Sequence, residues 1–403
     1  MIVFENARVV DGSSPEPSVP TTIIVEDDVI RAVGEKVTGA AARIDLRGAC
    51  IMPGLIDAHV HVVASSANFL ANATEPDALV AHRAAHIMHG MLSRGFTSVR
   101  DVGGATYGLA QAQAEGLFKG PRLIVCGKAL GQTGGHTDFR GRYDDRAAFD
   151  HRLGSLGRIC DGIDAVRRAA REEIKAGASF IKIMANGGVA SPTDPIHFLG
   201  FSRSEIEAAV EESRNAGTYV SAHLYTDEAI LRAVECGVHS LEHCNLIGNK
   251  TAAIAHEKGC IAVPTLVTYD ALAKEGAELG LPADSVAKIE QVRQRGTDSL
   301  EVMRKAGLPM AYGSDLLGPM HRHQSEEFVL RGRVLPAHEV IASATSVAAR
   351  LLQLEGKIGV IAPGACADLI VVDGNPLEDL SLLTGQGRNL TMIMQAGRFF
   401  KKQ

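Results

Sequence analysis

Two histidines spaced two apart are the first residues with chemical potential. His59 and His61 lie in GLIDAHVH, an apolar β-rich stretch. On a strand that spacing puts both imidazoles on one face, where they can share a metal ion, although such pairs also occur as satisfied core residues. Lys182 sits inside an equally apolar run, FIKIMAN, where an unpaired ammonium is expensive to bury. A salt-bridged or outward-facing lysine would meet that cost. So would a neutral amine, which reacts with carbon dioxide to give a carbamate, an anion able to bridge two cations held nearby. His223 in SAHLYT, His243 in SLEHC and Asp315 in YGSD end further β-rich runs. Cys244 is a weak metal candidate beside His243, because adjacent strand residues point to opposite faces. His82, His86 and His89 recur at helical spacing in AHRAAHIMHG and read as surface or packing residues of a helix outside the site.

The elements that must position these side chains follow from the alternation of β-rich and helical segments between about residue 50 and residue 315. The β-rich runs are MPGLIDAHVHV, TSVRDVG, RLIVCGKAL, FIKIMANGG, YVSAHLYT, SLEHCN, CIAVPTLVT and PMAYGSD. Eight strands close a (β/α)8 TIM-type barrel, whose active sites lie at the C-terminal strand ends, where the polar residues above fall. AVRRAAREEIKAGA, SRSEIEAAVEESRNAG and TDEAILRAVECG read as the helices between strands, each ending in a glycine-containing cap. The chain is therefore expected to be α/β, with a barrel over residues 51–355. Residues 1–50 and 356–403 read as short strands and turns, each too small to form a sheet domain alone, and are expected to combine into one small composite β-sandwich.

Composition sets the outer limits. A 403-residue chain with 46% hydrophobic and 22% charged residues buries a large core and does not resemble a disordered polymer. A net charge of -6 leaves no basic surface for nucleic acid or anionic lipid. There is neither a leader-like start nor an apolar membrane-spanning stretch, and the seven cysteines are scattered without a CxxC pair, so a cytoplasmic protein with reduced thiols is expected.

GLIDAHVH, IKIMANGG, SAHLYT, SLEHC and GSD, with the flanking β-segments and GACADLIVVDGNP, resemble the amidohydrolase superfamily over the whole chain. The resemblance implies that His59, His61 and Asp315 bind one divalent ion, that His223 and His243 bind another, and that carboxylated Lys182 bridges them. Zinc suits four imidazoles, while cobalt or manganese could also support turnover. GQTGGH, ending at His136, together with SAHLYT resembles the dipeptidase and carboxypeptidase branch, which includes Xaa-Pro dipeptidases and ochratoxin-type N-acyl amino acid amidohydrolases. His136 and Tyr225 match its substrate-facing positions. This implies hydrolysis of an amide or peptide bond to a C-terminal amino acid, with His136 or Tyr225 polarising the carbonyl and Asp315 carrying a proton from water to the leaving amine.

The segment GPMHRHQSEEF departs from the branch pattern, and His321, Arg322 and His323 are candidates for receiving a substrate carboxylate, or else a solvated loop. Two competing readings are a cyclic-amide or imidazolone hydrolase, or deaminase, of the same superfamily, and a non-catalytic scaffold relative. The complete ligand set argues for catalysis, and Lys182 argues for the binuclear, amide-cleaving form. The expected partner is a small amide or peptide, with homo-oligomerisation left open.

Overall fold

The computed structural model describes residues 1–35, 41–189, 191, 193–279 and 283–402. Leu55–Val60, Phe96–Asp101 and Arg122–Val125 form one parallel sheet. A second parallel sheet runs in the order Gly157–Ile159, Ala129–Gly131, Ile181–Met184, Val220–Thr226, Ser240–Leu246 and Ile261–Val263. Backbone hydrogen bonds link the two. Ser179 N donates to Val125 O at 2.8 Å and Gly104 N to Gly127 O at 2.8 Å on one side. On the other, Ala311 N donates to Ala262 O at 2.8 Å, Ala58 N to Tyr312 O at 2.8 Å and Asp315 N to His59 O at 2.9 Å. The chain is α/β, with helices between most of the consecutive parallel strands.

Those helices form where the apolar residues repeat on one side. Arg203–Asn215 buries Ile206, Ala209 and Val210, and opens on a capping box in which Ser202 and Glu205 exchange side-chain and backbone bonds. Asp227–Glu235 is capped by the Thr226 hydroxyl and carries Asp227 and Glu228 in its first turn, where carboxylates meet the positive end of the helix dipole. Ile163–Lys175 fills the preceding interval and buries Val166, Ala169 and Ala170.

Several expected strands are shorter than their apolar runs. MPGLIDAHVHV breaks at Gly54: Cys50–Pro53 pairs antiparallel with Leu369–Val372, and only Leu55–Val60 pairs with Phe96–Asp101. CIAVPTLVT supplies a strand only at Ile261–Val263, since Pro264 has no N–H for the ladder, and Leu266–Glu275 is helical. RLIVCGKAL divides around Gly127, whose φ is +73°, into Arg122–Val125 and Ala129–Gly131. PMAYGSD makes an isolated bridge from Met310 to Ala262 and the hydrogen bonds above rather than a regular strand. Gly157–Ile159, a strand not apparent in the sequence, pairs with Ala129–Gly131.

Both chain ends meet in one eight-stranded sheet. It takes Ile2–Val9, Thr21–Glu26, Val29–Val33, Ala42–Asp45 and Cys50–Pro53 from the first part of the chain, and Leu369–Val372, Leu390–Gln395 and Arg398–Lys402 from the last. Phe4, Ile23, Val25, Ile30, Ile51, Leu369 and Val371 form its own apolar cluster. Among the described residues, no helix is long and apolar enough to cross a membrane. All seven cysteines are free, and every one except half-exposed Cys366 is buried.

Candidate active site

The ends of the parallel strands converge on one cavity. His59, His61, His136, Lys182, His223, Tyr225, His243, Tyr269 and Asp315 line it, against an apolar wall that includes Phe69, Phe139, Leu156, Val189, Leu272 and Leu317. His59 Nε2 and His61 Nε2 approach Asp315 Oδ1 at 3.3 and 3.4 Å. Single donor atoms of His59, His243 and Asp315 all lie within 4.8 Å of one another. The His223 and His243 rings are 4.6 Å apart, and His136 stacks on His223 at 4.2 Å.

Each of the four histidines expected to bind metal has one ring nitrogen engaged elsewhere. His59 Nδ1 meets Glu242 Oε2 at 2.7 Å, His61 Nδ1 meets Gly103 O at 2.9 Å, and His223 Nε2 meets Gly187 O at 3.3 Å. A carboxylate or carbonyl can only accept, so these nitrogens carry the hydrogens and the other nitrogen of each ring keeps its lone pair. His243 Nδ1 is similarly paired with Thr265 Oγ1 at 2.8 Å. Metal-binding histidines are commonly held in this way from behind, so the donor set fits divalent ions.

Electrostatics agree with that fit at His223, His243 and Asp315, while at His61 burial is outweighed by the pull of Asp315 and Asp101, which raises the ring above the ordinary histidine value. Burial, reinforced by neighbouring imidazoles and Lys182, holds the His223 and His243 rings well below the ordinary histidine value and therefore neutral. Burial raises the Asp315 carboxyl, but His59, His61 and His243 outweigh it and hold the group well below the usual carboxylate range. Lys182 is 1% exposed. Burial brings its amine down to about 8 against the opposing pull of Glu242 and Asp315. About a tenth of the amine is thus neutral at pH 7, the form from which a carbamate arises.

The backbone makes room for this arrangement. His243 and Cys244 have φ of 70° and 57°. Two consecutive left-handed residues break strand alternation, so neighbouring Glu242 and His243 both reach His59, with the His243 ring 4.8 Å from it. Cys244 instead directs its buried thiol at the Leu241 and Glu242 carbonyls, and burial raises that thiol well above its ordinary value. Gly188 is required by His136, because a Cβ there would lie 1.8 Å from the imidazole Cε1.

Several residues that build the site were not apparent in the sequence. Glu242 Oε1 accepts from Arg100 Nη2 at 2.8 Å, Ser221 Oγ at 2.6 Å and Ser240 Oγ at 2.5 Å, placing a fully buried ion pair beneath His59. A charged residue inside SLEHC was the available signal. Asn186 Oδ1 accepts from Tyr225 N at 2.7 Å and Thr226 N at 2.9 Å, which fixes the strand end carrying Tyr225. Asp194 and Ser191 hold His136 Nδ1 at 3.3 and 2.7 Å, and Nε2 has no hydrogen-bond partner among the described residues. Tyr269 had no sequence signal beyond being aromatic.

His321, Arg322 and His323, expected either to receive a substrate carboxylate or to form a solvated loop, are not among the residues that line the cavity. His321 is buried, with Nε2 3.1 Å from Ala64 O. Arg322 donates to Glu275 at 2.6 Å, and His323 lies between Glu275 and Glu326 at 2.7 Å from each. Local carboxylates thus engage Arg322 and His323. His82, His86 and His89 lie on the helix Asp77–Ser93 with exposed side chains, and His89 packs 5.2 Å from the Phe400 ring.

A cavity with this donor set at the ends of parallel strands defines a class, and the comparison agrees: the amidohydrolase family model matches residues 50–399, and the chain belongs to that family. Within it, the chain falls in the dipeptidase branch and is an amide hydrolase. It is 50% identical to a prolidase solved in complex with N-methylphosphonate-L-proline, at a TM-score of 0.98 over 100% of both chains. It is 30% identical to ochratoxinase of Aspergillus niger, over 96% of this chain and 84% of that protein. A Xaa-Pro dipeptidase with methionine bound in its active site is 28% identical, at a TM-score of 0.85 over 99% of each chain.

Proposed function

We propose that this protein hydrolyses the amide bond to a C-terminal amino acid, in dipeptides, peptide C-termini or N-acyl amino acids, ochratoxin-like amides included. The parallel strands are read as a closed (β/α)8 barrel over residues 51–355, with residues 1–50 and 356–403 as its companion domain. His59, His61 and Asp315 would hold one divalent ion, His223 and His243 a second, with Lys182 as a bridging carbamate; zinc suits this set. When bound, such ions supply Lewis acidity toward the attacking water and the scissile carbonyl. Buried free thiols support a reducing, cytoplasmic location.

The chain's own residues do the rest. The Asp315 carboxylate takes the proton of the attacking water and passes it to the leaving nitrogen. His136, its Nδ1 taken by Ser191 and Asp194, presents Nε2 to the substrate. Tyr225, stacked on His243 at 5.2 Å, presents a hydroxyl. The apolar wall excludes water and receives the acyl side.

The observation that supports this reading most is the convergence of His136 and Tyr225 on the cavity that holds Lys182 and Asp315. Arg322 and His323 pair with Glu275 and Glu326, and His136 and Tyr225 are the groups assigned here to the substrate's oxygens. The test compares N-acetyl-L-proline with its carboxamide, within a wider panel of dipeptides and N-acyl amino acids, on metal-reconstituted protein. Donors left without their carboxylate cost about 1–3 kcal/mol, so kcat/KM should fall roughly tenfold to a hundredfold for the amide. Equal values would move the assignment to cyclic or other neutral amides. Elemental analysis should find close to two metal ions per chain, and a single ion with fully active Lys182→Ala would refute the bridging carbamate.

A further inference from the structure

The hydroxyl of Tyr225 is held from behind by a residue with no role in the scheme above. Tyr269, on the helix Leu266–Glu275, is 1% exposed and lines the same cavity. Its hydroxyl donates to the Tyr225 hydroxyl at 3.0 Å, with the two rings edge to face at 6.1 Å. Tyr225 cannot turn its ring away, because that ring stacks on His243 at an interplanar angle of 26° and meets His223 edge-on at 4.8 Å. Its backbone is pinned by Asn186. The remaining freedom of Tyr225 is the rotation of its O–H.

We propose that Tyr269 is a positioning residue that aims the Tyr225 O–H into the cavity, so that Tyr225 meets the substrate as an oriented donor. The argument is a count of hydrogens. A phenol ordinarily holds its proton throughout the neutral range. A phenol has one hydrogen to donate. Tyr269 spends its hydrogen on the Tyr225 oxygen, and a second hydrogen cannot lie along the same line. The Tyr225 hydrogen is therefore turned away from Tyr269. A donor oriented before substrate arrives avoids the cost of orienting it during the reaction.

This inference rests on Tyr225 facing the substrate, and the experiment separates the two. Tyr269→Phe, Tyr225→Phe and the double variant are prepared as full-length, metal-reconstituted proteins. For each, kcat and KM are measured on N-acetyl-L-proline and on the fastest substrate of the panel. The dissociation constant for N-methylphosphonate-L-proline, measured by calorimetry, gives a readout independent of turnover, and metal content is determined alongside.

Tyr269→Phe keeps the ring and should lower kcat/KM and phosphonate affinity about two- to tenfold, the range of one net hydrogen bond, with metal content unchanged. Tyr225→Phe should cost more, and the double variant should match Tyr225→Phe alone when Tyr269 acts through Tyr225 rather than through the Thr265 hydroxyl, which also meets Tyr269 and pairs with His243 Nδ1. A wild-type-like Tyr269→Phe beside an impaired Tyr225→Phe would overturn the positioning role and leave Tyr225 standing. Loss in the double variant equal to the product of the single losses would also overturn it. An unimpaired Tyr225→Phe, or a wild-type protein that neither binds nor cleaves these probes, would overturn the substrate reading and this inference with it.

Discussion

Replacing Glu242 with Gln tests how the interior of the protein supports its site. Glu242 is fully buried, with Oε2 2.7 Å from His59 Nδ1 and Oε1 accepting from Arg100, Ser221 and Ser240. Burial alone would raise its carboxyl, but Arg100, Lys182 and His59 hold it well below the ordinary range. Gln has the same shape and half the acceptors. If its oxygen stays with Arg100 and the serines, its NH2 faces His59 Nδ1, and two donors confront each other. His59 must then move its hydrogen to Nε2, giving up the lone pair that points toward Asp315. If the amide turns over, the NH2 faces Arg100 instead.

Either way the Arg100 guanidinium loses its counter-charge in the core. Breaking a buried pair costs about 3–5 kcal/mol, and the retained amide oxygen places the expected loss near the lower end. Loss of a carboxylate behind a metal-binding histidine typically lowers metal affinity about 10- to 100-fold. Urea unfolding of the metal-free proteins measures the first effect and a metal titration against a competing chelator measures the second. Unfolding free energies within about 0.5 kcal/mol of each other, together with unchanged metal affinity, would refute the argument.

Asp315→Asn should lower kcat by about two to four orders of magnitude through loss of the proton carrier, and near-normal kcat in a fully metallated variant would rule that role out. His321, brought down to about 4 by burial, is neutral in the folded protein and takes up a proton below about 6.5 once unfolded. A lowered histidine therefore costs stability as pH falls: unfolding free energy should drop by about 3 kcal/mol between pH 6.5 and pH 4 from this group, with no effect above pH 7. His321→Gln, whose amide can still donate to Ala64 O, should flatten that slope in urea titrations of the metal-free protein; parallel curves for the two proteins would contradict the assignment.

The histidines, Lys182 and Asp315 were legible because they interrupt apolar strands, where a polar residue is costly unless it has work to do. Strand alternation also marked His59 and His61 as sharing a face. The same rule set Cys244 apart from the site but did not show that neighbouring Glu242 and His243 both reach His59, because it presumes regular β backbone and His243 and Cys244 adopt left-handed φ. Apolar runs overstated the strands at Pro264 and Gly127 for a related reason: hydrophobicity reports burial, while the ladder depends on N–H groups and φ.

Residue types and their order along the chain thus determined the α/β class, the family and the residues that meet at the cavity, since burial periodicity and chemically costly side chains are written locally. Tertiary structure decided the partners. Glu242 beneath His59, Asp194 behind His136 and Tyr269 behind Tyr225 are 183, 58 and 44 positions away from the groups they hold. The contacts of Arg322 and His323 were decided in the same way, by Glu275 and Glu326. Hydrogen-bond direction and charge pairing depend on distances of a few ångströms across neighbouring strands and helices, and those distances exist only once the chain has folded.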